Sequence, residues 1–128
     1  MKKILITGFK PFGGNHLNPS MEAVNGITNI PENTELFREA LPVVWFEAID
    51  VLYGFLDKYK PDTVILVGQA GGSDAVTVER VGINLCGADL SDSNGLSFEE
   101  RSIYMGAANA FFSTLPHQNL LKALEESA

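Results

Sequence analysis

The chain has 128 residues, 45% of them hydrophobic, which is the length of one ordinary domain with a single core. Sixteen acidic residues against nine basic ones leave a formal net charge of -7, a balance that repels nucleic-acid phosphates and anionic membrane surfaces. A single cysteine, Cys86, excludes an intramolecular disulfide and fits a cytoplasmic location, and no apolar run approaches the ~20 residues of a spanning helix.

Lys3 to Thr7 (KILIT) is a short apolar run stopped by Gly8, the pattern of a strand covered on both faces. Asn18-Pro19-Ser20 marks a helix start, with Asn18 as cap and Pro19 at the first helical position, and Met21 to Ile27 continues that helix. Thr34 to Leu41 reads as a second strand closed by Pro42. From Trp45 to Tyr59 the residues Trp45, Ile49, Leu52, Tyr53 and Leu56 repeat at three and four, one face of an amphipathic helix that Pro61 follows. Thr63 to Val67 (TVILV) is a second unbroken apolar run, ending in Gly68 as the first ends in Gly8. Residues 76 to 85 alternate as a further extended segment, Cys86 to Gly95 is turn-rich, and Leu120, Leu121 and Leu124 mark a last helix from about His117.

Strands alternating with helices predict an α/β fold with a mainly parallel central sheet and helices on both faces. Residue 128 follows directly on the last helix, where a parallel unit normally returns to another strand, so the fold is expected to be incomplete at its C-terminus: one α/β domain over 1–128 that forms the N-terminal portion of a larger one. Ligands of such sheets sit beyond the carboxyl ends of the strands, where the loops Gly8 to Gly14 and Gly68 to Gly72 are placed.

The first loop, Thr7-Gly8-Phe9-Lys10-Pro11-Phe12-Gly13-Gly14, carries two phenylalanines, which lose area to water unless something packs on them. They either fold back onto the core or form an apolar slot for a small flat ring. The second loop, Gly68-Gln69-Ala70-Gly71-Gly72, lacks the Lys-Ser/Thr ending of a phosphate loop, and neither loop has dinucleotide spacing. Gln69 adds an amide that donates and accepts, which suits a lactam better than a phosphate. Glu79-Arg80 fits a solvated surface pair, Cys86 a small buried thiol, and His16 and His117 have no metal-ligand spacing. The sequence therefore calls for neither metal nor cofactor.

The string TGFKPFGG followed by NPS, the string GQAGG followed by TVERVGIN, and FFSTLP near the end together resemble the pyroglutamyl-peptidase I family, also called pyrrolidone-carboxylate peptidase, in register from about Lys3 to Leu124. The resemblance implies a cytoplasmic, usually homotetrameric cysteine peptidase that acts on N-terminal pyroglutamyl peptides. Carried over by position, Phe9 and Phe12 flank the pyrrolidone ring, Gln69 belongs to the same pocket, and Glu79 is the acid of a Cys-His-Glu triad. In such a triad the histidine takes the thiol proton, the thiolate attacks the scissile carbonyl and the acid orients the imidazole. The family's cysteine segment resembles S-A-G-T-F-V-C-N and its histidine segment F-I-H-I-P, and the 128 residues contain neither. Cys86, His16 and His117 stand in no matching motif. Two family arginines are also replaced: G-G-R by Gly71-Gly72-Ser73, and the arginine of A-R-I-P-D-N by Asp89, which reverses a charge. The expectation is a chain that carries ring pocket and acid but does not hydrolyse by itself. The alternatives are a non-catalytic paralogue that binds a pyroglutamyl or other lactam group and an assembly fragment with an exposed sheet edge.

Overall fold

Two lysines and a run of Ile, Leu and Thr make the first strand, β1 (Lys2–Phe9), whose central residues Leu5, Ile6 and Thr7 are buried. The computed structural model describes residues 1–87, 92–95 and 99–127, which form two compact units.

The first unit comprises residues 1–70 with 92–95. After β1 come α1 (Pro19–Asn25), β2 (Thr34–Leu41), α2 (Glu47–Tyr59) and β3 (Thr63–Leu66). The three strands form one parallel sheet in the order β2-β1-β3, with Leu5 opposite both Phe37 and Val64. Side chains alternate between the two faces of a strand, and β2 shows what covers each. The Arg38 guanidinium donates to the carbonyls of Val24 (3.1 Å) and Ile27 (2.5 Å) at the end of α1. Its neighbours Phe37 and Glu39 instead meet α2: the Phe37 and Tyr59 rings stack at 4.2 Å, and the Tyr59 hydroxyl donates to the Glu39 carboxylate. The helices therefore lie on opposite faces, and the α/β expectation holds with a fully parallel three-stranded sheet.

Three of the boundaries that differ from the sequence reading have a clear physical cause. The strand expected to stop at Gly8 runs on to Phe9, so Gly8 lies in the sheet rather than in the loop. A Cβ at Gly8 would stand 2.7 Å from both Cα and N of Met21, so its hydrogen side chain is what lets α1 lie on β1. α1 ends at Asn25 rather than Ile27, because the Gly26 amide closes back on Glu22 and Ala23. Trp45 and Phe46 stay outside α2. The Trp45 amide donates to Asp92 Oδ2 at 2.9 Å, and Phe46 takes φ 66°, a left-handed conformation that an aromatic residue rarely adopts.

The second unit comprises residues 71–87 with 99–127. Of the extended segment expected over 76 to 85, only β4 (Val81–Ile83) is strand, paired antiparallel with β5 (Ala110–Phe112), a strand the periodicity did not reveal. Cys86 forms an isolated antiparallel bridge with Arg101. The last helix, α3 (His117–Ser127), begins where the sequence placed it. Asp89 and residues 88–91 of the turn-rich segment lie outside the described residues.

Candidate functional site

Because β1 and β3 are parallel neighbours with Thr7 opposite Leu66, their carboxyl ends open at the same edge of the first unit. The Val67 amide donates to the Thr7 carbonyl at 2.8 Å and extends that pairing toward the glycine. Here the two loops converge. The Phe9 side chain reaches Gly68, where a Cβ would be 3.8 Å from Phe9 Cε2, an ordinary van der Waals distance. Gln69, the next residue, is exposed. Phe9 and the Gly68-Gln69 corner are thus brought together by register.

Phe12 sits farther along the first loop and remains 37% exposed, so it is not folded into the core. Its carbonyl accepts from the Asn15 amide (3.2 Å) and from Asn15 Nδ2 (3.0 Å), and Gly13 and Gly14 follow at φ 63° and 78°. That pair of left-handed residues suits glycine.

Two residues that the sequence marked only as a helix start have a second role here. Asn18 caps α1, its Oδ1 accepting from the Ser20 amide (3.0 Å) and the Ser20 hydroxyl (2.6 Å). Asn18 Nδ2 also donates to the Lys10 carbonyl at 3.2 Å, and Ser20 Oγ accepts from the Phe9 amide at 2.9 Å. Both side chains are buried.

Glu79 belongs to the second unit, exposed just before β4, with the Thr77 hydroxyl donating to it at 3.5 Å. Arg80 turns to the Phe112 ring, its guanidinium carbon 5.9 Å from the centroid. Ser73, which stands where the family has arginine, bonds only locally to Ala75. Cys86 is 1% exposed. A hollow of about 450 Å³ against α3 is lined by Val76, Leu121, Leu124, Glu125 and Ser127 and includes none of Phe9, Phe12, Gln69 and Glu79. Among the described residues no cluster of three or more His, Cys, Asp or Glu could hold a metal ion, and no described helix is long and apolar enough to cross a membrane.

The profile of the pyroglutamyl peptidase family matches residues 2–128. The pyrrolidone-carboxylate peptidase of Thermococcus kodakarensis is 42% identical over 98% of this chain and 61% of its own length, and that of Clostridium botulinum is 38% identical over 98% and 59%. Among solved structures, a mutant pyrrolidone carboxyl peptidase from Pyrococcus furiosus superposes with a TM-score of 0.91 at 39% identity, over 98% of this chain and 61% of the other. The chain thus spans about three fifths of the length of these relatives. Its parallel sheet, its paired glycine loops and this agreement along nearly its whole length make it a member of the pyroglutamyl peptidase family.

Proposed function

We propose that the chain carries the pyroglutamyl-binding part of a cysteine peptidase that removes N-terminal pyroglutamyl residues from peptides. In this reading the lactam ring lies against Phe9 and Phe12, the Gln69 amide pairs with the lactam N–H or C=O, and Glu79 is the acid of the triad. The observation that carries it is the contact of Phe9 with Gly68 at the joint carboxyl end of β1 and β3, with Gln69 the next residue in the chain. An aromatic face with a neighbouring donor–acceptor group is what a small flat amide needs. The names of the relatives support the substrate, and the TVERVGIN string supports Glu79.

The nucleophile and the base are assigned to the family's Cys and His segments, which are not among these 128 residues, so the chain by itself binds without cleaving. Cys86 is an unsuitable nucleophile because a thiol on a residue only 1% exposed offers no face to a peptide carbonyl. The reading carries with it a cytoplasmic homo-oligomer, supported by the single cysteine and the family resemblance.

The test combines titration with pyroglutamate and incubation with a chromogenic pyroglutamyl anilide. Pyroglutamate should bind, Phe9→Ala should weaken that binding by about tenfold or more, and no chromophore should be released. Absence of binding, or binding indifferent to Phe9 and Phe12, overturns the ring slot. Release of chromophore that is lost in Cys86→Ser would make Cys86 the nucleophile instead.

A further inference from the structure

We propose that Asn18 and Ser20 are positioning residues for the ring slot, holding the backbone of Phe9 and Lys10 so that the Phe9 side chain stands against Gly68 before any ligand arrives; this rests on the pyroglutamyl-slot reading above. A helix cap alone does not require these two side chains. Ser, Thr or Asp would satisfy the first amides of α1 as well as asparagine does. An asparagine amide holds its acceptor and its donors on separate atoms and so can face two segments at once, and Asn18 does, accepting from Ser20 through Oδ1 and donating to Lys10 through Nδ2.

Ser20 completes the chain of bonds. Its hydroxyl donates to Asn18 Oδ1 and accepts from the Phe9 amide, so successive residues of the first loop are held from one buried pair. The pair reaches them because Gly8 lets α1 rest directly on β1. Phe9 itself is only half-buried and Phe12 is 37% exposed, so packing alone leaves the ring poorly constrained. Buried hydrogen bonds, which are directional, supply the orientation. An aromatic wall that is already in place spares the ligand the entropy of ordering it.

The variants are Asn18→Ser, which keeps a good helix cap but cannot reach the Lys10 carbonyl, and Ser20→Ala, which leaves the Phe9 amide without its acceptor. Val24→Ala is the control, since it opens a cavity in the buried face of α1 without touching the loop. Two quantities are read on folded protein well below its melting temperature. One is the ring-current shift of the Gly68 α-protons, a signature of the Phe9 ring that needs no ligand. The other is the dissociation constant for pyroglutamate.

Asn18→Ser and Ser20→Ala should move the Gly68 shift toward its random-coil value and weaken binding about tenfold, as expected for losing one buried hydrogen bond from a preorganised wall. Val24→Ala should leave both unchanged. An unaltered Gly68 shift in the two loop variants overturns the proposal, as does an equal change in Val24→Ala, which would reduce it to general loosening of α1. If the unsubstituted chain fails to bind pyroglutamate, the ligand reading falls, and the Gly68 shift still decides whether Asn18 and Ser20 position the ring.

Discussion

Replacing Gly8 by alanine should destabilise the first unit, whereas the same substitution at Gly54 should stabilise it. At Gly8 the new Cβ would meet the Met21 Cα and N at 2.7 Å and the Ser20 carbonyl carbon at 2.9 Å, all backbone atoms that no rotamer change can move. Relief to an ordinary contact of 3.4 Å or more requires α1 to lift away from β1 by most of an ångström. A lift of that size stretches the Phe9–Ser20 bond from 2.9 Å and the Asn18–Lys10 bond from 3.2 Å beyond useful length. Overpacking of this kind costs about 1–3 kcal/mol, and each weakened buried hydrogen bond adds about 1 kcal/mol. Reduced freedom of the unfolded chain returns about 0.4–1 kcal/mol. The net loss is about 3 kcal/mol, or roughly a 10 °C drop in melting temperature for a domain of this size. Gly54 lies in exposed α2 with nothing within 4 Å of its Cβ position, so alanine there should gain about 1 kcal/mol of helix propensity. Urea unfolding followed by circular dichroism measures both. A loss below about 1 kcal/mol at Gly8, or the same sign at both positions, would refute the close-approach reasoning.

Arg38→Lys should cost about 1–2 kcal/mol, because a single ammonium cannot reproduce the fork that serves the Val24 and Ile27 carbonyls, and the loss should appear in the same unfolding experiment. Lys58 should titrate above lysine's ordinary 10.5, chiefly through its hydrogen bond to Tyr59 and then the Tyr59 charge, with desolvation opposing and the Glu39 charge adding least. Its ammonium lies 4.8 Å from the Tyr59 ring centroid. A pKa raised in the folded state favours folding fully below the unfolded value, and that contribution is lost as pH rises through the folded one. The stabilisation should therefore fade only above about pH 10.5, and Tyr59→Phe should bring the Lys58 titration, followed by the NMR shift of its Cε group, back toward the ordinary value. A Lys58 titration unmoved by that change would remove Tyr59 as the cause.

Much of the fold is legible along the chain because its signals are local. The run KILIT, the alternation in Thr34 to Leu41 and the 3.6-residue spacing up to Tyr59 each report burial on one element, and α3 starts at His117 as expected. Where prediction failed, a distant partner had intervened. Trp45 fits the helical face, yet its amide is taken by Asp92, and residues 76 to 80 alternate like a strand but are not strand in the structure, while β4 is defined by β5 about thirty residues later.

The candidate site divides in the same way. Residue types drew attention to Phe9, Phe12 and Gln69, an aromatic pair on one glycine loop and an amide on the other, whereas Glu79 read as a surface residue and was marked as an acid only by resemblance to the family. That β1 lies between β2 and β3, and that its register sets Phe9 against Gly68, depends on parallel pairing between segments some sixty residues apart. The sequence by itself determined most elements of the first unit and the last helix, and proposed which side chains would suit a lactam. Only the tertiary structure decided that Gly8 is a contact with α1 rather than a turn, and that Asn18 and Ser20 brace the loop as well as cap a helix, because a hydrogen bond or a van der Waals limit between two segments exists only once both are in place.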